Sequence, residues 1–341
     1  MPGPLETWSD EELLAARLCD LPIALEGSEL EARIAQLAVE LGAKGLAFRP
    51  AFYLGDEWFS PEGVPAIAIP FYLAHPRLKA LEEKMMMEVE GGTPEWCQRL
   101  LRHECGHAIE HAYLLHRAKK RRELFGPRSA DYDPDSYRPQ PYSKSFVRNL
   151  PNWYAQAHPD EDWAETFAVW LDPAIDWRKQ YRGWKALAKL EYVEEVMTRV
   201  GRTAPKVTAG PHEYEIRTLR YTLDTFYKRR RRLYATDSPA FYDPDLRRLF
   251  AAAEGEQKPA TRRGAAAFLR RHKKALLDSV SRWTGEKKVT VEILLKKLID
   301  RADALSLVLA RDESVTAVEV TAWLATLVTH YQFTGRFKRT L

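Results

Sequence analysis

Apolar positions along the chain change their period several times. Leu30, Ile34, Leu37, Ala38 and Leu41 recur every three or four residues, which predicts an amphipathic helix over 29–41 that Gly42 and Gly45 close. A shorter candidate precedes it at 11–18. From 45 to 73 the pattern shortens. Leu46, Phe48, Phe52, Tyr53 and Leu54 give way to a turn rich in Gly, Asp and Pro, then to Ile67-Ala68-Ile69-Pro70-Phe71-Tyr72-Leu73. Two or three short strands, paired as a hairpin, are expected there. Helix returns over 76–90. Thr93-Pro94 then supplies a cap and a first helical residue for a helix reaching about residue 120. Trp96, Leu100, Leu101, Ile109, Tyr113 and Leu114 lie all round it, as in a helix buried at the centre of a domain.

Residues 121–158 read as an irregular connection rich in Pro, Tyr and Arg, longer than compact domains usually carry. His158-Pro159 opens another apolar helix, stopped by Asp172-Pro173 after Leu171, and 186–200 is helical again. Residues 201–211 read as a linker. Helices are expected near 213–234, 264–282, 290–311 and 316–330, and the sequence shows no internal repeat.

Composition narrows the class without naming it. The 341 residues are 45% hydrophobic and 29% charged, a soluble globular balance. No run approaches the roughly 18 apolar residues that span a bilayer. The first residues are acidic and lack an apolar run, which argues against a secretory signal peptide. Cys19, Cys97 and Cys105 are too few and too scattered for a disulfide framework or a zinc ribbon, so a cytoplasmic location is expected. The formal charge of +4 divides into −8 over 1–200 and +12 over 201–341. That asymmetry suggests two regions, 1–205 and a basic helical region, 206–341, whose role the sequence leaves open. The oligomeric state is open as well.

One string carries chemistry: His103-Glu104-Cys105-Gly106-His107, an H-E-x-x-H motif on the apolar helix. Residues i and i+4 share a helix face, so both imidazoles can reach one ion, with Glu104 beside them. With nine histidines in the chain, chance supplies such a match roughly 0.02 times. Solvated histidines on a surface helix fit poorly with a helix apolar on nearly every side. Neutral imidazoles suit Zn²⁺, and a third protein ligand would leave one position open.

That ligand cannot be His111. Eight residues of helix separate it from His103 by about 12 Å. The metzincin pattern fails too, because Glu110 and Tyr113 stand where it needs Gly and His. His111 and His116 therefore read as ordinary histidines, and Cys105 as a packed core thiol. A carboxylate from the helix Asp160-Glu161-Asp162-Trp163-Ala164-Glu165 is the alternative, with Glu161 and Glu165 on one face. Trp163, Phe167 and Trp170 make that helix too apolar to be mostly exposed, and Asp160 and Asp162 read as first-turn acids favoured by the helix dipole.

HECGHAIEHAY followed by WYAQAHPDEDWAETFAVWL resembles a bacterial family described as putative zinc-binding metallopeptidases, over roughly residues 30–200. The E-x-x-A-E spacing is similar to the second zinc helix of gluzincins. The resemblance implies a zincin-like α+β fold, one Zn²⁺ held by His103, His107 and Glu161, and Glu165 bonded to the far nitrogen of a ligand histidine. It implies peptide-bond hydrolysis in which Glu104 acts as general base on a metal-activated water. An edge strand at 67–73 would line the cleft and pair with an extended peptide. No zinc ribbon precedes this region as in some relatives, and the tail beyond about 210 has no counterpart in the family.

The group that stabilises the oxyanion is least defined. Tyr154 is the first candidate, His158 the second, with Tyr142 and Tyr181 behind them. Lys228-Arg229-Arg230-Arg231-Arg232 follows an aromatic helix and reads as a solvated helix end, with a nucleic-acid or acidic partner as the less favoured alternative. Lys119-Lys120-Arg121-Arg122 reads as cations suited to a helix C-terminus. A zinc-containing binding or regulatory module, with the basic tail docking a partner, is the competing function.

Overall fold

The structure, a computed structural model, describes residues 4–86, 88–129, 140, 142–151, 153–232, 242–252 and 264–334. The described residues are mainly helical, with two small sheets among them. Two compact units divide it: residues 1–85 with 89–227, and 86–88 with 228–341. None of the described helices is long and apolar enough to cross a membrane.

The first unit contains α1 (Asp10–Ala15), α2 (Glu29–Ala43), β1 (Ala51–Gly55), β2 (Ala66–Pro70) and most of α3 (Pro76–Met86). It continues with α4 (Pro94–Tyr113), α5 (Lys119–Phe125), α6 (Pro159–Leu171), α7 (Trp177–Gln180) and α8 (Ala186–Val200). The chain then enters α9 (Leu223–Arg232), inside which the unit boundary falls.

Local signals set the key helices. Thr93 caps α4 by accepting from Trp96 N, and Pro94 takes its first position. His158 caps α6 through its imidazole, which accepts from Asp160 N, and Pro159 follows. α4 and α6 pack against each other at Gly106. A Cβ there would meet Ala164 Cα at 2.8 Å, so only glycine permits the approach. Trp163 Nε1 donates to Gly106 O at 2.8 Å across the same crossing.

Several sequence expectations need correction. α4 ends at Tyr113, not near 120, because Leu114 turns left-handed at φ 55°. The expected hairpin is a parallel pair, with Ala51 opposite Ala66 and Gly55 opposite Pro70. β2 is also not an edge strand. It is buried throughout, has β1 on one side, and on the other donates from Ala68 N to Phe59 O at 2.9 Å. The segment 201–211 is no free linker, and the chain that follows it stays attached to the first unit. Lys206 and Val207 donate their N–H groups to Ala112 O, Tyr53 Oη donates to Glu213 O, and Gly55 bridges Glu215. Leu18 N donates to Tyr221 O and Leu223 N to Ala16 O, so the first unit continues past residue 205 to Tyr227.

The second unit holds α10 (Asp243–Leu249), β3 (Phe250–Ala252), α11 (Ala265–Thr284), α12 (Lys288–Ala304), β4 (Leu307–Leu309) and α13 (Glu313–Thr334). β3 and β4 pair antiparallel, with Phe250 opposite Leu309. Phe268, Leu269, Leu276, Leu294, Leu298, Val320 and Leu324 are among the residues that fill its apolar core. α12 stops at Ala304, short of the expected 311, where the chain turns into β4.

Candidate metal centre

The α4–α6 crossing brings three donor atoms together. His103 Nε2 lies 3.2 Å from His107 Nε2. Glu161 Oε2 lies 3.0 Å from the first and 3.4 Å from the second. A tetrahedral zinc with bonds of 2.0–2.2 Å spaces its donors by about 3.3 Å, so the triangle has the size that ion needs. Among the described residues, His103, His107 and Glu161 form a group that could hold a metal ion.

Each donor is aimed by neighbours. His103 Nδ1 faces Glu165 Oε1 at 2.9 Å. A carboxylate only accepts, so Nδ1 carries a proton, and Nε2 is the nitrogen left to bind a metal once it gives up its own. Glu165 is itself fixed. Asn149 Nδ2 donates to Oε1 and Leu150 N to Oε2, both at 2.8 Å, and the carboxylate is buried. The periodicity of α6 exposes Glu165 as a candidate. Asn149 and Leu150 sit in the irregular connection, where no spacing marks them.

The electrostatics follow from this packing. Burial opposes charge on His103, but the Glu161 and Glu165 carboxylates outweigh it and raise its pKa. Burial and then Glu161 act likewise on His107, which ends raised. Glu161 is held well below the usual carboxylate range: burial works against its charge, and the His107 and His103 imidazoles prevail. Glu104 goes the other way. Burial pushes it up, Glu161 and Glu90 add to the effect, and the imidazoles only partly offset it. Its Oε2 is buried with no hydrogen-bond partner among the described residues.

These groups floor a cleft of about 690 Å³, lined also by Trp58, Phe59, Ser60, Glu62, Arg128, Tyr154 and His158. The Tyr154 ring centroid lies 5.7 Å from that of His103. Tyr142 is exposed and packs on Trp153, and Tyr181 is buried with its hydroxyl accepting from Arg148 N. Neither lines the cleft. The strand expected to face it is replaced by the residues around Phe59, which cover the outer side of β2. Sequence reasoning passed over Trp58 and Phe59 because they lie in a Gly- and Pro-rich turn.

The remaining expectations sort by chemistry. His111 lines the cleft, but its Nδ1 donates to Val64 O at 3.3 Å, and burial pushes its pKa down to about 4. Cys105 is fully buried and its thiol pKa is pushed up by burial, as befits a core cysteine. Asp160 and Asp162 do more than favour a helix dipole. Arg121 Nη2 donates to Asp160 at 2.6 Å, and Lys189 Nζ to Asp162 at 2.5 Å. Arg121, expected among cations suited to a helix C-terminus that need no partner, is fully buried and ion-paired. In the run 228–232, Lys228 and Arg229 are exposed, while the side chains of 231 and 232 lie outside the described residues. So do residues 130–139, 141 and 152 of the long connection.

A comparison with curated proteins finds no match for this chain, and a comparison with solved structures finds none either. Residues 99–184 do match the sequence profile of a family described as "Putative zinc-binding metallo-peptidase", a span that contains His103, Glu104, His107, Glu161 and Glu165.

Proposed function

We propose that the first unit is a zinc-dependent peptide-bond hydrolase, with His103, His107 and Glu161 as metal ligands and Glu104 as general base. The observation that carries the reading is the donor triangle of 3.0–3.4 Å beside a buried glutamate at the floor of an open cleft. Zinc bound there would polarise a carbonyl and make a water nucleophilic near neutral pH.

The chain's own residues supply the rest. Glu165 keeps His103 in the tautomer that leaves Nε2 free to bind metal. Glu104 takes the proton of the attacking water. Its raised pKa suits it to return that proton to the leaving amine nitrogen. Tyr154, on the cleft wall near His103, is the proposed hydroxyl donor to the developing oxyanion, with His158 as second candidate. Trp58 and Phe59 offer an apolar wall along which an extended peptide can lie. Peptides or proteins are the proposed substrates, and the basic region beyond the first unit has no assigned part in the reaction.

Glu104→Gln tests this directly. The variant should keep one zinc per chain and lose about 10²- to 10⁴-fold in turnover of a quenched fluorescent peptide library. A wild-type protein that holds zinc but cleaves no member of the library, or a variant as active as wild type, would remove the hydrolase reading. The first of these outcomes would favour a zinc-containing binding module.

A further inference from the structure

Beside the donor triangle, Arg121 joins three parts of the chain without touching the cleft. Its side chain is fully enclosed, at 0% exposure. Nε donates to Glu110 Oε1 on α4 at 2.8 Å. Nη2 donates to Asp160 Oδ1 at 2.6 Å and to Pro159 O at 3.3 Å, both in the first turn of α6. Nη1 donates to Gly126 O at 3.2 Å. Glu110 lies three residues after His107, and Asp160 immediately precedes Glu161. One guanidinium therefore spans from the helix that carries both histidines to the turn that carries the acid.

Stability alone does not call for this arrangement. Taking ions out of water costs several kcal/mol each, and apolar residues of similar volume often serve a core as well. A planar guanidinium does give rigid, directional donation that fixes both distance and angle between its partners. The other side of the α4–α6 crossing is pinned separately, by Trp163 on Gly106 and by Glu165 on His103. The Glu161 end has Arg121. Gly126 is part of the same contact, since a Cβ there would meet Pro159 Cγ at 3.1 Å.

We infer that Arg121 is a positioning residue of the metal centre: by clamping the first turn of α6 to α4 it holds Glu161 Oε2 within reach of both imidazoles. The inference rests on the reading of His103, His107 and Glu161 as metal donors. A lysine is a point charge on a flexible stem and cannot serve Glu110, Asp160 and two carbonyls in one plane.

The test uses the full chain as wild type, Arg121→Lys and, as a milder change, Glu110→Gln. Leu37→Ala, a buried truncation in α2, serves as a control for lost stability without a clamp. Zinc affinity is measured by chelator competition, and the site is read independently by the visible absorption of bound Co²⁺. Arg121→Lys should bind zinc about 10- to 100-fold more weakly with an altered Co²⁺ band. Glu110→Gln should move both readouts in the same direction by less, and Leu37→Ala neither. If Arg121→Lys does not fold, the Glu110→Gln result decides alone. Both variants binding zinc within twofold of wild type, with an unchanged Co²⁺ band, would overturn the assignment while leaving the metal site standing. A wild type that binds no zinc would overturn the site reading and this assignment together.

Discussion

The two units bury different things. Among the described residues, every buried charged side chain belongs to the first unit: Glu40, Glu82, Arg102, Glu104, Glu110, Arg121, Glu161, Asp162, Glu165 and Lys189. Among the described residues of the second unit the buried polar ones are Thr290 and Thr316, and the described core is otherwise apolar. Among its ion pairs, Arg271–Glu313 and Arg270–Asp303 lie at the surface and Arg301–Asp243 is partly buried. An apolar interior is the ordinary way to stabilise a small helical domain. Buried ions need partners and still cost desolvation. Most of those in the first unit flank α4 and α6. Arg102 ties α4 to Glu40 of α2 and to Asp172, Arg121 ties its other end to Asp160, and Lys189 holds Asp162. Their placement points to geometry, holding two helices in one register, as their use.

The largest effect separating the units is expected from Asp162→Asn, which leaves Lys189 with its charge buried and its ionic partner gone. Chemical denaturation should show a loss of about 3–5 kcal/mol in the transition of the first unit. A loss below 1 kcal/mol would mean that the buried pairs contribute no more than surface ones. Gly106→Ala comes next. Its new methyl meets the Ala164 backbone, so overpacking should cost about 1–3 kcal/mol and weaken zinc binding together with stability. Unchanged zinc affinity would show that the α4–α6 separation is not what sets the donor triangle.

How far the sequence disclosed this depends on what carried each signal. Helical periodicity put His103 with His107 and Glu161 with Glu165, because i and i+4 share a face wherever the helix sits. Capping chemistry marked where α4 and α6 begin. The end of α4 was hidden, since Leu114 adopts a left-handed turn without a glycine to announce it. Strand direction was hidden too. The turn at 55–65 has hairpin composition, but the chain crosses β2 at Phe59 before entering it in parallel. Arg121 was unreadable because a run of four cations suits a helix end without any partner, and only the fold shows that one of them faces Glu110 and Asp160.

A smaller effect is set by protons. The carboxylates raise the pKa of His103 despite its burial, so near neutral pH an incoming metal displaces a proton there. Zinc affinity should rise with pH by up to about tenfold per unit for each proton released, and fall as the imidazoles charge in acid. Isothermal titration in buffers of different ionisation heat counts the protons, and a count of zero would contradict the account. The smallest effect belongs to the second unit. Glu313→Gln removes an exposed carboxylate from Arg271 and His272 and should leave the unfolding midpoint unchanged.

The central claim is that two imidazoles and one carboxylate from α4 and α6 hold a single zinc ion. Zinc K-edge X-ray absorption on stoichiometrically loaded full-length protein tests it most directly. The account predicts one zinc per chain, two imidazole nitrogens at about 2.0–2.1 Å and oxygen donors at about 2.0–2.2 Å, with no sulfur shell. A sulfur scatterer near 2.3 Å, or a single imidazole, would place the metal elsewhere and contradict it.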